Sequence, residues 1–217
     1  MSSAAEPTRD CPLCPRLAAF RAANREAFPE FFNAPAPIFG GSDARLLIVG
    51  LAPGLKGANA TGRPFTGDYA GVLLYETLLD FGFARGVYAA RPDDGLRLID
   101  ARIVNAVRCA PPQNKPTPQE ARTCRSFLAA ALAETTRLTA IVTLGRVAHE
   151  NALRAAGARP ASAPFAHGAE AKIDVCGRLA TVLSSYHCSR YNTNTGVLTR
   201  EMFRAVFARA RTVVDAA

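Results

Sequence analysis

The chain has 217 residues, 49% of them hydrophobic and 20% charged. That is enough apolar material for one sizeable core in a single domain, and it excludes a disordered segment. The 26 basic residues outnumber the 18 acidic ones and leave a formal charge of +8, which suggests a polyanionic partner such as nucleic acid; the plainer alternative is a solubilising surface. No stretch approaches the roughly 18 consecutive apolar residues of a membrane helix. Residues 1–10 (MSSAAEPTRD) have no apolar signal-peptide centre, so a cytoplasmic chain with no membrane partner is expected.

In chain order, residues 12–26 carry a helical pattern. Residues 46–51 (LLIVGL) form a short apolar run of the kind buried parallel strands show. Residues 71–83 (GVLLYETLLDFGF) repeat apolar side chains at helical spacing. A second strand is expected over 102–107 (RIVNAV), then a helix over 118–133. Thr117 precedes that helix, with Glu120 three residues on, which is the capping-box pattern. Residues 139–144 (TAIVTL) predict a third strand, 146–156 a helix ending at Gly157, 179–184 (LATVLS) a fourth strand and 199–211 a last helix. Strands alternating with helices predict an α/β fold, a three-layer αβα sandwich around a mostly parallel four-stranded sheet. The long connections 52–69, 108–118 and 186–196 follow predicted strands, so they crowd the sheet edge where such folds bind ligands. Residues 158–165 read as a surface turn.

Six cysteines stand at 11, 14, 109, 124, 176 and 188. In a reducing compartment, spaced cysteines bind metal or do redox work more often than they pair. Cys11 and Cys14 form C-x-x-C, whose two sulfurs converge on one point. Cys109 and Cys124 offer a second pair, and four thiolates suit either zinc or a [4Fe–4S] cluster. The alternative makes Cys109 and Cys124 small core residues. The prolines at 111 and 112 favour a loop ligand. Cys176 reads as a core or turn residue.

The stretch GLAPGLKGANATGRPFTGDYAG, Gly50 to Gly71, has six glycines in 22 positions, so its backbone can approach a ligand closely. It lacks the Gly-Lys-Ser/Thr of a triphosphate loop and the GxGxxG of a dinucleotide site; no nucleotide cofactor is expected. Phe65, between Pro64 and Gly67, is placed to stack on a planar ligand or to plug the core. Asp68 is placed for chemistry or to cap the following helix. Asn105, near a strand end, carries a donor and an acceptor and can read a pyrimidine edge, or it is satisfied by backbone. His187 closely follows an apolar strand. Arg190 and Tyr191 after it are candidates for phosphate binding and for wedging. A Cys188–His187 nucleophilic pair is disfavoured, because adjacent residues of an extended chain point to opposite sides.

Taken together, GLAPG…GRPFTGD, NAVRCAPPQNK with Cys124, and SYHCSRYNTNTG resemble the uracil-DNA glycosylase superfamily, and within it the iron–sulfur family 5, or b-type, enzymes. The resemblance runs from Cys11 to about Arg200. It implies the αβα fold and base excision in DNA repair. The reaction would be hydrolysis of the N-glycosidic bond of a flipped, deaminated base, leaving an abasic site. It implies Cys11, Cys14, Cys109 and Cys124 as ligands of a [4Fe–4S] cluster. Phe65 would stack on the base, Asn105 would read its edge, His187 would donate to the pyrimidine O2, and Asp68 would be the catalytic carboxylate. Gly50 and Ala52 would line the base site, and Ser189, Arg190 and Tyr191 would contact DNA. Sister families carry an acidic or amide side chain in the first motif where this chain has Leu51, and most have proline where it has Cys188. The first departure points to family 5 and to a wider base range, hypoxanthine or xanthine beside uracil. Both departures also fit a catalytically inactive DNA-binding module carrying a cluster or zinc. A monomer is expected.

Overall fold

The computed structural model describes residues 4–217. Its strands are β1 (Leu46–Gly50), β2 (Ala84–Arg85), β3 (Arg97–Leu98), β4 (Ala101–Asn105), β5 (Ala140–Leu144), β6 (Glu170–Val175) and β7 (Arg178–Ser185). Its helices are α1 (Pro15–Ala27), α2 (Ala58–Thr61), α3 (Tyr69–Asp80), α4 (Pro118–Glu134), α5 (Arg146–Ala155), α6 (Arg190–Asn194) and α7 (Arg200–Asp215). The main sheet runs β4-β1-β5-β7-β6, and β2 pairs with β3 in a separate small hairpin. The first four strands of that sheet are parallel, and β6 is antiparallel to β7. The sheet thus has five strands rather than the expected four.

Every residue of β1, β4 and β5 is buried, which is why these strands read as short, mainly apolar runs. Alternate side chains go to opposite faces. Leu46, Ile48, Ile103 and Val142 meet Leu74 and Leu78 of α3 and Phe203 and Phe207 of α7. Leu47, Val49, Val104 and Ile141 meet Leu128 and Leu132 of α4 and Ala152 and Leu153 of α5. Two cores on two faces make the three-layer sandwich. The capping box of α4 forms as the sequence predicts: Thr117 Oγ1 accepts from the Glu120 N–H at 3.2 Å, and Glu120 Oε2 accepts from the Thr117 N–H at 2.7 Å.

Leaving β1, the chain passes through α3 to β4 on one side. Leaving β4, it passes through α4 to β5 on the other side of β1. Successive connections therefore diverge at the C-terminal ends of β1 and β4, where open α/β sheets leave a crevice. Gly50 and Asn105 are register partners at those two ends.

Candidate active site

A cavity of about 420 Å³ opens at this crevice, lined by residues from all three of the long connections the sequence marks. Ala52, Phe65, Asp68, Asn105, His187, Ser189 and Arg190 reach it, in company with Leu51, Tyr69 and Asn114. Gly50 lies beneath the floor: a β-carbon there would collide with Asn105 Oδ1 and stand 2.7 Å from the Phe65 ring. Its lack of a side chain is what lets the amide and the ring stand side by side. Tyr191 is not in the lining. It lies on α6 and is 73% exposed.

Asn105 is buried, and its Oδ1 has no hydrogen-bond partner. A buried acceptor left unpaired is costly unless a ligand supplies the donor. Phe65 is 6% exposed, so the ring on this loop forms part of the cavity wall rather than standing free. It lies 6.2 Å from the His187 imidazole, centroid to centroid, with the planes 29° apart. Burial pulls the His187 pKa below its ordinary 6.5, so the ring is neutral at neutral pH and can donate a hydrogen bond without carrying charge. Its backbone carbonyl accepts from Asn192 Nδ2 at 2.8 Å.

Asp68 occupies the N-cap position of α3 in extended conformation, yet its carboxylate makes no capping bond. It turns instead toward the glycines of the first loop. A β-carbon on Gly57 or on Gly54 would strike that carboxylate. Burial raises the Asp68 pKa above 3.8, partly offset by the backbone N–H of Gly54. Cys188 packs wholly inside the core on the α3/α7 side, and burial pushes its thiol to about 12. It has no part in a nucleophilic pair.

A family model described as the uracil DNA glycosylase superfamily matches residues 37–211. A type-5 uracil-DNA glycosylase of Thermus thermophilus is 44% identical, covering 93% of this chain and 92% of the relative. Those of Pyrobaculum aerophilum and Mycobacterium tuberculosis are 38% and 41% identical over 93% of this chain, and cover 88% and 77% of their own lengths. The chain belongs to the uracil-DNA glycosylase superfamily. Its likeness to the type-4 enzyme of Archaeoglobus fulgidus is weaker, 32% over 70% of the chain.

The cysteine pattern of this superfamily member also comes together. Cys11 and Cys14 precede α1, Cys109 follows β4, and Cys124 lies in α4; all four line one small cavity. Arg21 Nη1 donates to Cys109 Sγ at 3.5 Å, and the Arg108 N–H donates to Cys124 Sγ at 3.3 Å. Cys109 and Cys124 also pack with Leu17, Val107 and Ala121, so the core and ligand readings are compatible. Burial pushes Cys109 to about 11 and Cys124 to about 12. As lone groups they stay protonated. Among the described residues, no three His, Cys, Asp or Glu side chains converge as a single-ion site. Cys176 is exposed at φ +54° in the turn between β6 and β7.

Asn114 is a site residue that the sequence reading misses. It and Gln113 sit in left-handed conformation, at φ +57° and +56°, and that turn carries Asn114 to the cavity. The available signal was an Asn among prolines in PPQNKP, since Asn tolerates that conformation better than most residues. Among the described residues, no helix is long and apolar enough to cross a membrane.

Proposed function

We propose that the protein excises uracil from DNA, hydrolysing the N-glycosidic bond of an everted nucleotide and leaving an abasic site without cutting the strand. The observation that carries this reading is the unpaired Oδ1 of Asn105, buried beside Phe65 in a cavity that Asp68 and His187 also reach. A base inside a duplex is inaccessible, so it must rotate out to be cleaved. Once out, it stacks on Phe65, and Asn105 takes its N–H while offering a donor to the neighbouring carbonyl. The bond breaks with positive charge growing on the sugar and negative charge on the base, as in glycoside hydrolysis. Neutral His187 donates to the pyrimidine O2 as that oxygen gains charge. A donor of this kind contributes about 2.7–4 kcal/mol. Asp68, held as an anion in a poorly solvated cradle, orients water or offsets the sugar cation. Leu51 offers no such group. Hypoxanthine and xanthine present the same N–H beside a carbonyl, and the cavity is not confined to one pyrimidine, which supports them as further substrates.

Ser189, Arg190 and, from the rim, the exposed Tyr191 contact the DNA. Arg190 stacks over Tyr69 with its guanidinium 5.0 Å from the ring centroid, so its charge is held at the mouth of the site. Cys11, Cys14, Cys109 and Cys124, which line one small cavity, would hold a [4Fe–4S] cluster as thiolate ligands. When bound, it ties the segment before α1 to the β4–α4 connection, a structural duty. The protein works as a cytoplasmic monomer, with DNA as its partner.

Single-turnover assays on a duplex with one uracil test the reading. Free uracil and an alkali-labile, uncut abasic site are expected. Asp68→Asn and His187→Ala should each slow release by about 10²-fold or more. Wild-type rates in both variants would refute the assignment. Binding without base release by the wild type would make the chain an inactive DNA-binding module.

A further inference from the structure

Phe65 has φ +56°, a conformation that a bulky side chain keeps only where its surroundings hold it. Those surroundings are specific. The Tyr88 hydroxyl donates to the Phe65 carbonyl at 3.1 Å, and the Tyr75 hydroxyl donates to the Pro64 carbonyl at 2.5 Å. Gly71, in the first turn of α3, lies under the Phe65 carbonyl, where a β-carbon would collide with it. Arg63 Nε donates to Thr66 Oγ1 at 2.6 Å. Its two terminal nitrogens fork onto Asp94 at 2.8 and 2.7 Å, with 6% of the arginine and 1% of the aspartate side chain exposed. Asp94 in turn accepts from the Ala89 and Leu96 N–H groups, so the fork is anchored to the connection between β2 and β3. The Arg63 guanidinium lies between 5.4 and 5.9 Å from the ring centroids of Phe39, Tyr75 and Tyr88, and Tyr75 and Tyr88 pack at 4.6 Å.

None of Arg63, Tyr75, Tyr88 or Asp94 reaches the cavity. Yet their bonds end on Pro64, Phe65 and Thr66. We infer that Arg63, Asp94 and Tyr88 are positioning residues for base excision: they fix the Phe65 peptide in its strained conformation and so aim the ring at the base. The β2–β3 connection, remote from the chemistry in sequence, thereby sets the stacking plane. A bidentate guanidinium fork suits this duty better than a lysine, because two parallel bonds fix orientation as well as distance.

The inference rests on Phe65 stacking on the base, and the test separates the two claims. Single-turnover excision from a duplex with one uracil is measured for Tyr88→Phe and Asp94→Asn, each in the wild-type and the Phe65→Leu backgrounds. Duplex affinity and melting temperature are followed in parallel. Tyr88→Phe removes one hydroxyl from a half-buried side chain, so it remains informative if Asp94→Asn folds poorly. The expected result is a loss of about tenfold or more in the wild-type background, of the order a misplaced group costs. Affinity for the duplex should be unchanged, and neither variant should cost anything further once Phe65 is leucine. Equal losses in both backgrounds, or none in either, overturn the inference while leaving Phe65 its role. A Phe65→Leu protein as fast as wild type removes that role, and the inference with it.

Discussion

At the scale of single residues, the site trades stability for reactivity. Burial without a cationic partner raises the Asp68 pKa. A native state whose carboxyl has a raised pKa binds more protons than the unfolded chain between 3.8 and the raised value. Stability therefore falls as pH rises through that window, and the deficit persists above it. Asp68→Asn should melt higher than wild type at pH 7, with the gap closing below pH 3.8, while excision drops by about 10²–10⁴-fold. Calorimetry across pH checks the first statement, and single-turnover assays the second. The same shift moves the acid limb of the excision rate upward from 3.8, and that limb should vanish in Asp68→Asn. His187 works the other way. With its pKa below 6.5 in the folded state, it contributes stability that is complete above pH 6.5 and is lost as pH falls through its folded value. Gly57→Ala tests the cradle without touching the carboxylate. Its new methyl must displace Asp68, so excision should fall by about 10²-fold with little change in duplex affinity.

At the scale of elements, the legible parts of the chain were those where one physical demand dominates. β1, β4 and β5 are buried along their whole length, so they read as short, mainly apolar runs, with Arg102, Asn105 and Thr143 the buried polar exceptions. The glycine-dense first connection and the two polar ones carry no long apolar run, so their aromatic and polar residues stood out, although Phe65, Cys109 and Cys188 on them also pack into the cores. β6 was not legible. It lies at the sheet edge, with buried side chains only at Ile173 and Val175 among charged neighbours, and a half-exposed strand with Glu, Lys and Asp gives no apolar run. The two-residue strands β2 and β3 and the four-residue helix α2 are too short for any periodicity. The fork between Arg63 and Asp94 spans 31 positions, a contact that only the fold creates. Tyr191 shows the limit from the other side: a helix of five residues was enough to turn it outward, away from the cavity. α6 itself has a use. Ser189 caps it by accepting from the Asn192 N–H, and Asn192 then holds the His187 carbonyl. Asn192→Ala should free the His187 backbone and slow excision by up to about 10²-fold, leaving the melting temperature within a few degrees. An unchanged rate would show that α6 does not position His187.

At the scale of the whole molecule, charge and architecture serve the same end. Several arginines are consumed internally. Arg108, almost fully buried, donates to the carbonyls of Ala5 and Ala36 and pairs with Glu6 at 2.5 Å, fastening the N-terminal segment to the connection that follows β4. Arg45 with Asp100 and Arg209 with Glu170 are pairs of the same kind nearer the surface. Because such pairs cancel, the excess of +8 falls on residues outside them, Arg190 at the cavity mouth included. If these cations meet phosphates, each contact releases counterions, and the logarithm of affinity falls with the logarithm of salt at about −0.9 per contact on duplex DNA. Arg190→Ala should therefore weaken binding of uracil-containing and uracil-free duplex alike and flatten the salt slope by about one unit. The single-turnover rate at saturating protein should fall far less than in Asp68→Asn, because a phosphate contact holds the ground state and the transition state almost equally. Titrations from low to physiological salt, with the saturated rate measured alongside, separate the two effects. An Arg190→Ala protein with the wild-type slope would mean that this guanidinium faces its tyrosine alone and that the phosphates lie elsewhere on the surface.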